Sequence, residues 1–512
     1  MKAVSILAIV LIFQTSGTVP SGPELESSSR KILTLNTINQ NLRTLRMPTN
    51  AGPTIIEGRR KEQELKEDKP LPFEEVLWTN AGDPQGMGDP YVTFIHDVLA
   101  MVVDANNINR GIYPKDAAKR AKAFLATLEN NSIGTYPHPS GIELVRRHVA
   151  KYIQKRDGGI PSRWQDIYLS NGAATSIGNV LKLLNCQKDG SKSGVMIPVP
   201  QFPFYAAKLQ DNGMHAINYY LDEDNNWAIN INHLEQAITA AKEFCKPRAI
   251  VIINPGNPTS QVLTRKSIKD IIKFAYKHRL FIMADEAYQE NINEDDCPFI
   301  SFKKVLSEMG EPYNKMEMAS FKTCSKGYAS ECGLRCGYVE LINLSPDVRT
   351  AYETYVATQL TPNTVGQAAL EAIVNPPRED EPSYEQWLKE TTNIFSSLKK
   401  RAKFLTKKLN SIKGYSCNPI QGGMYGFPRI DIPPQAIAAA KRAGQEPDEF
   451  YSLELLNQTG IVVVPGNGFG QLPGTYHYRT TTLPQMDKLK KMVSDIKKFH
   501  KGFVAKYTQN EL

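Results

Sequence analysis

Apolar and polar positions alternate along this chain in two distinguishable rhythms. Ala249 to Ile253 is a short β-branched run. Ile268, Ile271, Ile272 and Ala275 then recur at i, i+3, i+4 and i+7, before a second apolar run from Leu280 to Ala284. That order predicts strand, helix, strand. A helix-length crossover makes the two strands parallel, and ligands of open parallel sheets gather at the carboxyl ends of their strands. Upstream, Asp166 to Ser170 predicts another strand, and Ile177, Val180, Leu181 and Leu184 follow it at helical spacing. A further strand is expected over Val195 to Ile197.

The residues that leave these strands carry the chemistry. Asn254-Pro255-Gly256-Asn257-Pro258-Thr259 follows the first strand of the unit and Asp285-Glu286-Ala287-Tyr288 the second, so Asn257, Asp285 and Tyr288 can line one crevice. Asn171-Gly172-Ala173-Ala174 opens a helix with small residues, which leaves backbone N–H groups free for an anion. Ser320-Phe321-Lys322-Thr323-Cys324-Ser325-Lys326 sets a lysine beside two hydroxyls, with Arg335 nine residues on. An amine that captures an aldehyde, with hydroxyls and a guanidinium for a phosphate, is what pyridoxal phosphate requires. Each string alone also fits a turn, a strand-end cap or a solvated lysine. One cofactor explains all of them together.

These strings, with Gly423-Met424-Tyr425, Val464-Pro465-Gly466-Asn467-Gly468-Phe469-Gly470 and Gly474-Thr475-Tyr476-His477-Tyr478-Arg479, resemble the fold-type I pyridoxal phosphate aminotransferases, within them the alanine aminotransferase group. The likeness runs from about residue 32 to 500. It implies an α/β fold with a mainly parallel central sheet in a large domain, residues 100–375, and a smaller α+β domain made from 18–99 and 376–512. It also implies roles. Lys326 would hold the cofactor aldehyde and carry the proton between substrate Cα and cofactor C4′. Asp285 would meet the ring nitrogen, Asn257 and Tyr288 the phenolic oxygen, and Phe202 the ring face. The phosphate would take the backbone at Ala173 and Ala174, the side chains of Thr323 and Ser325, and Arg335. Tyr136 would reach the phosphate of the partner subunit in a homodimer, and Arg479 would clamp the substrate carboxylate. The implied reaction moves an amino group from L-alanine to 2-oxoglutarate, giving pyruvate and L-glutamate. A glyoxylate-directed aminotransferase, a lyase acting on S-adenosylmethionine and a ligand-sensing regulator share much of this pattern.

The chain departs from the family at several places. Ala174 stands where Ser or Thr is usual, Thr323 and Asn467 where Ser is, and Phe202 where Tyr is; Ser260 and Cys336 replace glycines. Leu45 to Pro53 lacks the string Tyr-Ala-Val-Arg-Gly, in a segment that approaches the substrate side.

Composition adds limits. In 512 residues, 61 basic and 53 acidic side chains leave a net charge of +8, spread without a basic stripe, so nucleic acid is not an expected partner. No helix-turn-helix pattern precedes the family core, which weighs against the regulator. Lys399, Lys400, Arg401, Lys403, Lys407 and Lys408 read as a solvated helix face. Asn375 to Pro382 reads as a linker. The seven cysteines form no metal spacing and read as packed thiols; no metal is expected. Asn130, Asn343 and Asn457 match the short glycosylation pattern, which decides nothing. Residues 1–17, with the apolar run Ala3 to Phe13, have the form of a secretory signal rather than a stable membrane span, and Gln509-Asn510-Glu511-Leu512 is a divergent retention tail. Together they raise the lumen of the endoplasmic reticulum against the family's usual cytosol or mitochondrion.

Overall fold

The computed structural model describes residues 32–186 and 190–508; the signal-like segment and the terminal tetrapeptide lie outside them. Residues 32–45 belong to one compact unit, with a short helix Gln40–Arg43 capped by Asn39. The rest belong to a second unit, described from here on.

It begins with a helical turn α1 (Pro48–Ala51) and a helix α2 (Pro53–Lys66). Its centre is an eight-stranded sheet: β1 (Ile167–Ser170), β2 (Ser193–Val199), β3 (His215–Asp222), β4 (Ala228–Ile229), β5 (Lys246–Ile253), β6 (Phe281–Asp285), β7 (Met318–Thr323) and β8 (Gly337–Ile342). The spatial order is β1-β8-β7-β6-β5-β2-β3-β4. The run β3, β2, β5, β6, β7 is parallel; β8 is antiparallel to both β7 and β1, and β4 to β3. β1 therefore points the same way as β7. The carboxyl ends of β1, β2, β5, β6 and β7 all reach one edge, as the crossover rule predicts.

The sequence rhythm explains the layers. Every residue of β1, β2, β6 and β7 is buried, the mark of a sheet covered on both faces. Helix α3 (Ala173–Leu184) follows β1 and α4 (Phe204–Asp211) follows β2. Helix α5 (Arg265–His278) joins β5 to β6, with Ile268, Ile271, Ile272 and Ala275 fully buried. Thr264 caps it by accepting from the Ser267 amide.

Distant parts of the chain meet in small sheets. Leu77–Trp78 pairs in parallel with Ile461–Val462. A three-stranded antiparallel sheet joins β9 (Tyr425–Gly426), β10 (Val464–Pro465) and β11 (Tyr478–Thr481), with β11 in the middle. The expected linker is fastened rather than loose. The Arg120 guanidinium donates to the carbonyls of Asn375 and Pro376 at 2.7 and 2.8 Å and pairs with Glu381 at 2.6 Å.

Two readings of side-chain exposure need correction. Arg401 lies on the long helix α6 (Tyr384–Leu409), in register with Ile394, Leu398 and Leu405 on its buried stripe, and is only 1% exposed. It is no part of a solvated face. Its neighbours Lys399 and Lys403 do sit outside, paired with Asp295 and Glu294. The cysteines are all free, but not all packed: Cys186, just past the end of α3, is exposed, and Cys297 and Cys332 are partly so. Among the described residues no helix is long and apolar enough to cross a membrane.

Candidate active site

The strand ends enclose a cavity of about 380 Å³ bordered by Ala173, Ala174, Phe202, Asn257, Asp285, Tyr288, Thr323, Ser325, Lys326, Arg335 and Arg479. Every site residue expected from the sequence is there except Tyr136, which stands outside it, 79% exposed.

At the centre, the Lys326 Nζ donates to the Gly82 carbonyl and lies 5.7 Å from the Tyr288 ring centroid. Gly82 admits no side chain: a Cβ there would fall 2.2 Å from the Tyr425 hydroxyl and 3.0 Å from Lys326 Nζ. The other lysine of the motif, Lys322, points away and pairs with Glu290 at 3.0 Å.

Asp285 ends β6. The Tyr205 hydroxyl donates to its Oδ2 at 2.7 Å and the Ala287 amide to its Oδ1 at 3.2 Å. Burial pushes its carboxyl up, and these two donors pull it back.

On one flank lies an anion seat. The Arg335 Nη1 donates to the Ser325 Oγ at 3.4 Å, and the Thr323 hydroxyl lies 3.2 Å from the same oxygen. Helix α3 begins beside it at Ala173 with no side-chain cap. Gly172 makes that approach possible, since it stands at φ +99° and a Cβ on it would meet Arg335 Nη2 at 2.7 Å. Uncapped helix N–H groups, two hydroxyls and a guanidinium that no carboxylate among the described residues pairs with are together the donors a phosphate needs.

On the other flank is Arg479, in β11 and 2% exposed. Its Nη1 donates to Asn257 Oδ1 at 3.1 Å and its Nη2 to the Asn80 carbonyl, while its Nε makes no hydrogen bond with any described residue. The guanidinium lies 4.2 Å from the Tyr425 ring centroid and 4.8 Å from that of Phe469. Among the described residues no carboxylate pairs with it. Burial lowers its pKa, and only the Tyr425 and Tyr288 phenols counter that. Burial also pushes the Tyr425 phenol up, but Lys326 and Arg479 outweigh it and leave it below the ordinary tyrosine value. The Tyr288 hydroxyl donates to that of Tyr425 at 3.2 Å.

A model of the family "aminotransferase class I and II" matches residues 103–496. The chain belongs to that family. It is 44% identical to an alanine aminotransferase 2 of Xenopus tropicalis over 97% of this chain and 94% of that one. Against alanine aminotransferase 1 of Homo sapiens the identity is 43%, over 93% and 96%. A solved structure titled alanine aminotransferase, from Pyrococcus furiosus, has the same fold, with a TM-score of 0.71 at 21% identity over 91% of this chain and 99% of that one.

Aminotransferases of this family use pyridoxal 5′-phosphate, and the residues of this one fit it. The cavity offers an amine, a buried carboxylate, an unpaired arginine over an anion seat and the apolar face of Phe202. Sequence reasoning gave no role to Tyr205, Tyr425 or Thr49, all of which touch the site or its carboxylate. Tyr205 lies three residues beyond Phe202 and Tyr425 ends the Gly423-Met424-Tyr425 string, so a signal existed for both. Ser260, in a glycine position of the family, does stand at φ +61°, and its hydroxyl donates to the Tyr425 carbonyl at 2.7 Å.

Proposed function

We propose that this aminotransferase moves the amino group of L-alanine to 2-oxoglutarate, giving pyruvate and L-glutamate. The observation that carries the reading is Arg479. A guanidinium so buried, with no carboxylate partner among the described residues, is costly unless a ligand brings the anion. It faces the same cavity as Lys326. Relatives at 43 to 44% identity, named alanine aminotransferase, support the choice of substrate.

When bound, pyridoxal 5′-phosphate supplies an aldehyde that captures amines and a protonated ring that draws electrons from Cα. Thr323, Ser325, Arg335 and the first amides of α3 would hold its phosphate. Phe202 would cover the ring, and Asn257 and Tyr288 would meet its phenolic oxygen. Asp285, oriented by Tyr205 and the Ala287 amide, would hold the proton on the ring nitrogen. Arg479 fixes the substrate α-carboxylate in a planar fork, which sets the Cα hydrogen toward Lys326. Lys326 would take that proton on Nζ and give it back on the cofactor side. The Gly82 carbonyl, already its acceptor, keeps the freed amine beside the reacting carbon. The second half-reaction reverses these moves.

The enzyme works as a homodimer in this reading, with Tyr136 completing the phosphate seat of the partner subunit. Its exposure on a loop beside Gly134 leaves the ring free to be shared. Mixing Tyr136→Phe and Lys326→Ala protomers then yields heterodimers with one intact site, and no regain of activity on exchange would count against it.

The deciding experiment loads the purified protein with pyridoxal phosphate and follows single turnovers of a panel of amino donors by absorbance. L-alanine and L-glutamate should react fastest. A panel led by S-adenosylmethionine, or acceptor rates led by glyoxylate, would overturn the assignment.

A further inference from the structure

Alanine ends in a methyl group, whereas glutamate and 2-oxoglutarate end in a second carboxylate. The cations that border the cavity are Lys326, Arg335 and Arg479. Amine, phosphate and α-carboxylate engage all three in the reaction above. Among the described residues no fourth cation is present on the cavity wall. A second carboxylate drawn into such a site needs donors, because it surrenders its hydration on entry.

Thr49 provides one. It belongs to α1, borders the cavity, and is 3% exposed, yet its Oγ1 makes no hydrogen bond with any described residue. Buried hydroxyls are paired as a rule, so an orphan on a residue that borders a ligand cavity points to a ligand atom as its missing partner. The turn that carries it is fixed to Arg479 on both sides. The Asn80 side-chain amide donates to the Thr49 carbonyl at 3.0 Å, and the Asn80 carbonyl accepts from Arg479. On the opposite flank Pro48 packs on Gly468 so closely that a Cβ there would lie 2.6 Å from Pro48 Cγ, and the next residue is Phe469, under the guanidinium. A substrate held by Arg479 thus lies within a framework that includes Thr49.

We propose that the Thr49 hydroxyl is the specificity-determining donor to the distal carboxylate of the five-carbon substrates, a role that rests on the alanine and 2-oxoglutarate reading. A neutral donor suits an enzyme that must accept both ends. A lysine or arginine at this place would be left buried and unpaired whenever alanine is bound, whereas an unpaired hydroxyl is far less costly.

Thr49→Val removes the donor and keeps the shape. In the holoenzyme, kcat/KM for L-glutamate and 2-oxoglutarate should fall about tenfold, as for one lost charge-assisted hydrogen bond, while values for L-alanine and pyruvate stay within about twofold. Thr49→Ser should retain the wild-type ratio. Glutarate, titrated against the absorption of the bound cofactor, should weaken in Thr49→Val while butyrate does not. The melting temperature should hold or rise, since a methyl replaces an unpaired hydroxyl. Equal losses with both substrate pairs, or no loss with the dicarboxylates, would overturn the role; so would a Thr49→Val protein that melts early or does not fold, because the hydroxyl would then serve the structure. If the unaltered protein fails to turn over alanine, it is the assigned reaction that falls.

Discussion

Arg401 and Arg479 are among the largest side chains buried almost completely, one on α6 and the other on β11. Arg401 donates to both oxygens of Asp89 at 2.9 and 2.8 Å and to the Leu483 carbonyl, and Gln485 completes the carboxylate at 2.7 Å. Among the described residues Arg479 meets only neutral groups: an asparagine side chain, a backbone carbonyl and two aromatic faces. The contrast separates structure from function on physical grounds. A buried charge answered by its own chain holds the fold together, and one left unanswered is held ready for a ligand.

The most severe test asks whether the region around Arg479 is a reaction site at all. Lys326→Ala should remove all turnover and all borohydride-fixable cofactor, since Lys322 is tied to Glu290. Ordinary activity in that variant would dissolve the contrast. Next comes the paired arginine. Arg401→Met leaves Asp89 buried without its cation, so denaturant unfolding should show a loss of about 3 to 5 kcal/mol, with kcat/KM per folded molecule unchanged. Arg479→Leu should do the reverse, costing about 3 kcal/mol in kcat/KM, or more than a hundredfold, with stability kept. Exchanged phenotypes would mean that the two regions are misread.

A milder case sharpens the comparison. Glu286, fully buried beside Asp285, receives the Phe302 amide at 2.8 Å and the Ser320 hydroxyl at 2.6 Å, with Arg156 3.8 Å away. Burial dominates and pushes its carboxyl up from 4.5 to about 7, against the pull of Arg156. The folded chain therefore holds this proton more tightly than the unfolded chain does. Its stabilising share is complete below pH 4.5 and disappears as the pH rises through 7. Measured as the difference from Glu286→Gln, stability should decline over that window by up to ~3 kcal/mol. A flat difference would show that Arg156 answers Glu286 as fully as Asp89 answers Arg401.

Much of the site was readable in the sequence because its groups sit at strand ends, where a short apolar run and the polar string after it are local signals. Asn257, Asp285, Tyr288 and Lys326 are of this kind, and β5, α5 and β6 fall where their rhythm placed them. What escaped depends on partners far apart along the chain. The hydroxyl of Tyr205 finds a carboxylate 80 positions away, and the Thr49 turn is fastened to loops around 80 and 468. Arg401 was misjudged for a different reason. A run of basic residues looks solvated until the helical stripe of Ile394, Leu398 and Leu405 is drawn through it, and that stripe was present in the sequence.

The place of β11 in the chain also sets an order in time. All eight strands of the central sheet have been made once residue 342 has emerged, yet the strand bearing Arg479 ends at residue 481. At ribosomal speeds of about 5–20 residues per second the gap is roughly 7 to 28 s. During that interval a nascent chain carries its lysine, its anion seat and its ring carboxylate, but no clamp and no partner strand for Leu77 and Trp78. The substrate clamp is therefore the last part of the cavity wall to be synthesised.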